Sequence, residues 1–334
     1  MQVDRLSINN INNIQEFLCN LNEPIIITDL FSHWPSVTLA KQSPLVLLRS
    51  LVTQASTELV DTLIIDKKYK GLIGYTDNKF KNYTFEKHNA PLISVLKKLI
   101  INFNNQGSDT IAVQSALINE CLPDFCIKNS APKFLANVPP RIWLGNAATV
   151  PGHYDTEHNI ALNLCGKRTF YLLPANEIKN LYVAPIDRTV AGPAISLVDF
   201  ENPDFEKYPK FKATKEKVLT ATLEIGEALY IPPLWWHNVK AIDPVNILVN
   251  YWWDPTSTKS DLGLEATDSL LHSILTLRNL PESQRCAWQA LFSHYVFEKT
   301  DEFKNKSNEY HGILSNSHES LKSVANALKE RMKQ

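Results

Sequence analysis

A histidine and an aspartate, separated by one residue, stand near the middle of the chain. They are His153 and Asp155, in VPGHYDTEHNIALNLCGKRTFYLLP (150–174). In an extended strand the side chains of residues i and i+2 point to the same face, so the imidazole and the carboxylate would meet at one point. A second histidine, His237, lies in GEALYIPPLWWHNV (226–239). Imidazole and carboxylate groups are ligands of divalent transition metals, and these three side chains therefore predict a metal site.

The number of ligands indicates the chemistry of such a metal. Two histidines and one carboxylate on one face leave three coordination positions open, which is typical of non-haem Fe(II) oxygenases, where a co-substrate and O₂ bind the metal together. His158 has the opposite strand parity and is not predicted to be a ligand. Because H-x-D occurs by chance in many chains, the residues alone leave open a surface His–Asp pair and an unrelated histidine.

The segments that carry these residues favour a β-rich core over 136–255. Short apolar and β-branched runs, bounded by Gly, Pro, Asn or Asp, follow one another at short intervals, which is typical of a sandwich or barrel rather than of βαβ units. The predicted strands are RIWLGN, HNIALNLCG, RTFYLLP, KVLTATLEIG, EALYIPP and VNILVNYWW.

The flanking regions have a different character. Residues 1–135 mix helix and strand, and the apolar spacing from 256 to 334 is helical. The elements predicted in the first region are a helical pattern over 8–21, a short buried strand over 24–30, a hairpin over 72–85 and a helix over 91–103. We therefore expect three regions: an N-terminal α+β elaboration (1–135), a β-barrel core (136–255) and a C-terminal helical region (256–334).

Composition and charge exclude several classes of protein. Lys+Arg 34 against Asp+Glu 35 give a net charge of −1, so nothing in the overall charge favours nucleic acid or an anionic membrane as a partner. Hydrophobic residues at 44% and charged residues at 21% exclude wholesale disorder. We expect no secretory signal and no membrane span, since no apolar window is long enough. The five cysteines lack C-x-x-C spacing, which favours a reducing, cytoplasmic location.

Motifs on separate segments resemble those of one family. H-Y-D-x-x-x-N (153–159), the Gly-Lys-Arg turn (166–168) and Y-I-P-x-x-W-W-H…V-N-Y-W-W (230–253) are similar to the Jumonji-C (JmjC), cupin-like oxygenases, nearest in pattern to the asparaginyl-hydroxylase branch. NEPIIITDLFSHWP (22–35) resembles the N-terminal strand and Trp-Pro element of that family. This resemblance implies an α+β fold with a mainly β core, a double-stranded β-helix (cupin, jelly-roll). It also implies Fe(II) as the metal and 2-oxoglutarate as the co-substrate.

The resemblance implies a role for each matching residue. His153, Asp155 and His237 match the iron ligands. Arg168 stands fifteen positions after His153, where the family places a basic residue that pairs with the distal carboxylate of 2-oxoglutarate. The nearest relatives usually have Lys there, and Arg can hold a carboxylate through two hydrogen bonds. The adjacent Lys167 is the alternative anchor, although on a strand it should face the other way.

Two asparagines also match positions close to the metal-binding end of 2-oxoglutarate, namely Asn159 and Asn250. The alternative is that both only satisfy backbone groups at strand ends. Where the asparaginyl hydroxylases have a Tyr and a Thr that help to hold the distal carboxylate, this chain has Ala112 and Val150, which cannot donate a side-chain hydrogen bond. Gln114 matches a polar residue of the same strand and is expected to face the cavity.

The sequence thus predicts an Fe(II)- and 2-oxoglutarate-dependent oxygenase that uses O₂ to hydroxylate a protein or peptide side chain, or a small molecule. Demethylation is the same chemistry on an N-methyl carbon. The alternative is a cupin-fold binding or assembly protein with a vestigial metal site, which Ala112 and Val150 favour. A zinc or manganese isomerase is disfavoured, because such sites usually recruit more His and Glu ligands.

The C-terminal segments carry more apolar side chains than one helix needs to cover a barrel. Leu270, Leu271, Ile274, Leu275 and Leu277 crowd one segment, and a second cluster follows it over 288–297. Surplus apolar faces commonly pack against a symmetry mate. The asparaginyl-hydroxylase relatives use their C-terminal helices in this way, so the resemblance implies a homodimer.

Overall fold

The computed structural model describes residues 1–77, 79–105, 107–190, 192–254, 264–298 and 318–332. The chain divides into two compact units, residues 1–254 and 255–334. The three-region division of the sequence remains a prediction.

Two β-sheets form the core of the first unit. Its strands are β1 (Arg5–Leu6), β2 (Ile25–Ile27), β3 (Leu59–Ile65), β4 (Phe85–Pro91), β5 (Thr110–Leu117), β6 (Arg141–Gly145), β7 (Ala148–His153), β8 (His158–Cys165), β9 (Arg168–Leu173), β10 (Leu219–Leu223), β11 (Ala228–Ile231), β12 (Trp236–Ala241) and β13 (Asn246–Trp253). One sheet has the order β1-β2-β11-β8-β13-β6-β5-β3-β4 and the other β10-β9-β12-β7. All pairs between these strands are antiparallel apart from β1–β2. The predicted fold class, α+β with a jelly-roll core, is confirmed.

Helices lie between these strands along the chain. They are α1 (Ile14–Asn20), α2 (Pro35–Gln42), α3 (Pro44–Gln54), α4 (Leu92–Asn102), α5 (Ile118–Cys121), α6 (Phe125–Lys128) and α7 (Lys212–Lys215). The helical pattern predicted over 8–21 becomes an α-helix only at Ile14, because the side chain of Asn13 caps it by accepting a hydrogen bond from the Glu16 amide. In the segment 72–85, where a hairpin is predicted, the described residues form one antiparallel bridge, Tyr75 to Tyr83, with backbone hydrogen bonds from Thr76 to Asn82 and from Thr84 to Gly74, so the pairing is short.

The two faces of β8 pack against different layers. Ile160, Leu162 and Leu164 lie in a large cluster with side chains of α2, α3 and α4. Ala161, on the opposite face, packs with side chains of β9, β11, β12 and β13 between the two sheets. Each fully buried aliphatic side chain contributes about 1.5–3 kcal/mol, so both faces hold β8 in this register. Asn159, two residues before Ala161 on β8, therefore faces the space between the sheets.

The second unit contains the described helices α8 (Ala266–Leu277), α9 (Glu282–Phe292) and α10 (His318–Met332), and a π-helical turn, Ser293–Phe297, follows α9. Neither α8 nor α9 has a buried residue within the unit. Leu275 is 81% exposed and Phe297 is 75% exposed. Among the described residues of the whole chain, no helix is long and apolar enough to cross a membrane.

Candidate metal centre

His153, Asp155 and His237 meet at one end of the space between the sheets, which we call the mouth of the barrel. One possible ligand atom from each residue lies within 4.8 Å of the other two. His153 ends β7 and pairs across the sheet with His237 of β12, with their ring centroids 4.1 Å apart. Asp155 Oδ2 lies 3.6 Å from His237 Nε2. Three side chains from distant parts of the sequence thus face one point.

A β-bulge in β7 aims His153 at this point. His237 pairs with His153 and Val239 pairs with Val150, so β7 has one more residue than β12 between these pairs. Without the extra residue, Val150 and His153 would face opposite sides of the sheet; with it, both face inward. Gly152 lies in the bulge against Phe200, whose Cζ would be 2.4 Å from an added Cβ. The sequence P-G-H therefore suits a strand that must bend here.

The strand alternation predicted from His153 to Asp155 is wrong, because Asp155 lies in the loop after β7 and before β8. Hydrogen bonds orient its side chain and backbone instead. Its Oδ2 accepts hydrogen bonds from Asn159 Nδ2 and from Trp252 Nε1, both at 3.1 Å, and its carbonyl accepts one from the Leu234 amide at 2.8 Å. The carboxylate reaches the histidines because three segments hold its loop.

The hydrogen bonds of the two imidazoles fix their tautomers. His153 Nδ1 lies 2.9 Å from the Pro151 carbonyl, and His237 Nδ1 lies 3.0 Å from the Trp235 carbonyl. A carbonyl oxygen only accepts, so each Nδ1 carries a proton, which leaves Nε2 as the atom that can bind a metal. Burial and the neighbouring His153 lower the pKa of His237 to about 4. His237 is thus neutral at pH 7, the form that binds a metal.

A narrow cavity lies between the sheets, further along β12 from His237. Val239 is the next inward residue after His237 on β12, about 7 Å further along the strand. The cavity has a volume of about 40 Å³. Its lining includes Val239, Val150, Ala112, Gln114, Trp143 and Arg168. The two apolar positions singled out in the sequence therefore lie in one cavity with the predicted anchor.

Arg168 brings a positive charge into this cavity. Its side chain is buried, its Nε has no hydrogen-bond partner, and no ion pair reaches it within the described part of the chain. Burial lowers the pKa of Arg168 to about 10, so the guanidinium stays charged at neutral pH. A buried cation without a partner is unfavourable by several kcal/mol, so the cavity favours a small anion. Gln114 Oε1 is also buried without a partner.

Lys167, the alternative anchor, is not brought to the cavity. It is exposed in the turn before β9, and its backbone amide donates to the carboxylate of Asp243. The difference between the two neighbours follows from their places in the fold. Arg168 opens an inward-facing row of β9, together with Phe170 and Leu172, whereas Lys167 lies outside the sheet.

The two asparagines lie on the inner faces of adjacent strands. Asn159 of β8 donates to Asp155, while its Oδ1 is buried without a partner. Asn250 of β13 accepts a hydrogen bond from Trp143 Nε1 at 2.9 Å. Both asparagines thus have side-chain partners at the site, in contrast to the alternative in which they only satisfy backbone groups.

Two aromatic neighbours differ in what they contact. His158 faces away from the metal ligands, with its Nδ1 2.9 Å from the Tyr230 hydroxyl and its ring stacked on Trp253 at 5.2 Å. Trp252, the residue before Trp253, donates to Asp155. Sequence reasoning missed this contact. The signal was present, because Trp252 shares strand parity with Asn250.

The residues present fit a bound metal with an anionic co-substrate. Two imidazoles and one carboxylate supply suitable donors, and a buried guanidinium without an ion pair among the described residues lines the neighbouring cavity. Enzymes of the JmjC family use Fe(II) and 2-oxoglutarate.

Comparisons with known proteins agree with this architecture. Residues 11–259 match the family described as Cupin-like domain. The chain is 30% identical over 246 residues to Lysine-specific demethylase JMJ30 of Arabidopsis thaliana, covering 71% of this chain and 51% of that protein. It is 29% identical over 149 residues to HSPB1-associated protein 1 of Bos taurus, covering 44% of this chain and 30% of that protein. It is 39% identical over 107 residues to JmjC domain-containing protein D of Dictyostelium discoideum, covering 32% of this chain and 23% of that protein.

These matches span about half or less of the length of each relative. They do not distinguish the asparaginyl-hydroxylase branch, which remains a prediction. The family match, in contrast, extends over well over half of the chain and contains both sheets apart from β1, and all three residues of the candidate metal centre. The chain therefore belongs to the cupin-like family of JmjC domain proteins.

Proposed function

We propose that the protein is an Fe(II)- and 2-oxoglutarate-dependent oxygenase. The observation that carries this proposal is the His–Asp–His cluster together with a buried arginine, without an ion pair among the described residues, in a cavity that Val239 lines two residues after His237 on β12. His153, Asp155 and His237 would hold the metal, and Arg168 would bind the distal carboxylate of the co-substrate. Iron with bound 2-oxoglutarate supplies the oxidising chemistry, with O₂ as the oxidant.

The protein's own residues orient these groups and exclude water. The Nδ1–H groups of the two histidines, bound to backbone carbonyls, keep each Nε2 directed at the metal position. Trp252 and Asn159 fix the carboxylate of Asp155. The apolar walls of the cavity keep the surroundings of Arg168 dry, which strengthens its attraction for a carboxylate.

Asn159, Asn250 and Gln114 would contribute polar contacts to the co-substrate. 2-Oxoglutarate has only acceptor atoms, so these contacts would come from the side-chain amide N–H groups. Ala112 and Val150 supply no hydrogen bond, so the distal carboxylate would depend on the guanidinium and on Gln114. Lys167 would have no part in binding.

We propose hydroxylation of a protein or peptide side chain, or of a small molecule, as the reaction. The support for hydroxylation over demethylation is the resemblance of the metal-binding motif to the asparaginyl hydroxylases. Two of the relatives, in contrast, are named lysine-specific demethylases. We propose the cytoplasm as the location and a homodimer formed through α8 and α9 as the assembly, with no nucleic acid or membrane partner.

A second candidate is a cupin-fold binding or assembly protein whose metal site is vestigial. The apolar side chains of Ala112 and Val150 favour it, because they remove two donors from the co-substrate cavity. The three converging ligands and the cationic Arg168 count against it, since a site without a ligand gains nothing from an unpaired buried charge.

One experiment separates the two candidates. The purified protein is incubated with Fe(II), 2-oxoglutarate and O₂, with and without candidate peptides, and succinate release is measured. We expect slow release without a substrate and faster release with one, and expect His153→Ala to abolish both, whereas His88→Ala, on the exposed strand β4, has no effect. No succinate release, together with no binding of Fe(II) or 2-oxoglutarate by calorimetry, would establish the vestigial alternative.

A further inference from the structure

A second arginine, Arg141, lies at the mouth of the barrel, beside the metal centre. It begins β6 and pairs with Asn250 of β13. Residues directly opposite each other in an antiparallel pair point to the same face. Asn250 faces inward, since it binds Trp143, a residue of the inner cluster. Arg141 is therefore an inward-facing residue, one position of the row nearer the mouth than Trp143.

Two contacts hold its guanidinium in place. Arg141 Nη1 donates to the carbonyl of Ser115 at 2.9 Å and to its hydroxyl at 3.3 Å. Arg141 Cζ lies 5.8 Å from the ring centroid of Trp252, whose own N–H binds Asp155. A single indole ring thus connects the guanidinium to a ligand of the candidate metal centre.

The other edge of this guanidinium is open. Within the described residues, Arg141 forms no ion pair, and neither its Nε nor its Nη2 has a hydrogen-bond partner. Its side chain is half-buried, so a ligand can reach it. The Nε and Nη2 donors of arginine form a planar fork that matches the two oxygens of a carboxylate. Arg141 therefore presents an ordered, unused carboxylate fork at the entrance to the site.

We propose that Arg141 binds a carboxylate of the primary substrate. The group would be an acidic side chain next to the oxidised position of a peptide, or the carboxylate of a small organic acid. The same charge would repel a cationic group entering the mouth, which disfavours an N-methylated lysine. This inference rests on the proposed oxygenase function and narrows its substrate class.

The test measures binding rather than turnover. The protein is loaded with Mn(II) and 2-oxoglutarate without O₂, and anisotropy reports the binding of labelled short-peptide libraries that differ only in flanking residues fixed as Glu, Gln or Lys. We expect the Glu library to bind about tenfold more tightly than the Gln library, the size of one charge-assisted hydrogen-bond pair, and the Lys library to bind most weakly. Competition by N-acetylglutamate but not N-acetylglutamine, without any peptide preference, would assign the carboxylate to a small acid.

Charge reversal distinguishes recognition from a purely structural role in holding Ser115 and Trp252. Arg141→Glu should invert the order of the library affinities, so that the Lys library binds best. Arg141→Lys should keep a preference for the Glu library, but a weaker one. Arg49→Glu makes the same charge change on the exposed face of α3 and should leave the order unchanged. A structural residue would instead weaken all libraries equally.

Equal binding of the Glu and Gln libraries and of the two acetylated amino acids to the wild type would overturn the inference. So would an Arg141→Glu variant that keeps the wild-type order. These results are independent of succinate release. A carboxylate preference in a protein that never turns over 2-oxoglutarate would overturn the proposed function and leave the Arg141 site standing.

Discussion

The indole Nε1–H of Trp252 donates to Asp155 Oδ2 at 3.1 Å, whereas the adjacent Trp253 lies on the other face of β13, with its ring stacked on His158. Trp252 therefore contacts the metal centre, whereas Trp253 packs in the layer outside the sheet. Strand alternation is the reason, since successive side chains of β13 point to opposite faces.

Trp252→Phe should weaken Fe(II) binding about tenfold, because hydrogen bonds to metal ligands typically contribute 10–100-fold to affinity. Trp253→Phe is the matched control and should leave Fe(II) affinity unchanged. Anaerobic titration of both variants checks this. Equal losses in the two variants would show that the hydrogen bond to Asp155 does not orient the ligand.

The metal assignment predicts that His153→Ala and Asp155→Ala each lose stoichiometric Fe(II) while keeping the fold. His158→Ala removes a neighbouring imidazole that faces Tyr230, and it should still bind one Fe(II) per chain. Metal analysis after anaerobic gel filtration measures the stoichiometry, and circular dichroism checks the fold. Full Fe(II) occupancy in the His153→Ala Asp155→Ala double variant would show that the metal binds elsewhere.

The unpartnered charge of Arg168 predicts opposite effects on stability and on binding. Arg168→Met should leave the free energy of unfolding of the ligand-free protein unchanged or raise it, because it removes a buried cation that has no ion-pair partner among the described residues. The same change should weaken 2-oxoglutarate binding by about 1.5–3 kcal/mol, the range for hydrogen bonds to a charged group. Chemical denaturation and calorimetry measure the two quantities. Lys167→Met should alter neither, and a larger loss of binding there would reverse the assignment of the anchor.

The bulge in β7 predicts that Gly152→Ala destabilises the protein and weakens Fe(II) binding. An added Cβ would lie 2.4 Å from Phe200 Cζ, so strand or ring must move. We expect a loss of about 1–3 kcal/mol in unfolding free energy, as for overpacking, with weaker Fe(II) binding because His153 follows directly. Combining it with Phe200→Leu should recover part of the metal affinity. Normal Fe(II) affinity in the single variant would show that the bulge does not set the position of His153.

The exposed apolar side chains of the second unit predict a homodimer. Light scattering at low micromolar concentration should give twice the chain mass of 37.9 kDa. Leu275→Glu with Phe297→Glu should yield the monomer, because both side chains are largely exposed within the unit. Ile101→Glu changes an equally exposed residue of α4 and should remain dimeric. A wild-type protein that is monomeric and retains activity would contradict the proposed dimer interface.

Much of the fold was predictable from local patterns. The strands containing Ile142, Leu162, Phe170 and Leu229 were predicted because β-branched and apolar runs between Gly, Pro and Asn have few other stable conformations. The helical pattern near the N-terminus was placed too early, because Asn13 accepts the Glu16 amide and begins the helix there. Aromatic and turn residues predict the hairpin over 72–85, but only the tertiary structure shows how short its pairing is, with one bridge between Tyr75 and Tyr83.

The sequence by itself determined which side chains could bind a metal and a carboxylate: His153, Asp155, His237 and Arg168. Only the tertiary structure decided how they meet. His153 points inward because β7 has one residue more than β12, and Asp155 is placed by Trp252 and by backbone contacts of its loop. That Arg168 Nε has no hydrogen-bond partner in the described part of the chain likewise depends on every strand around it. A bulge, a strand register or the lack of an ion-pair partner depends on segments that are far apart in the chain. Local sequence encodes only the alternation of one strand, so it does not determine these features.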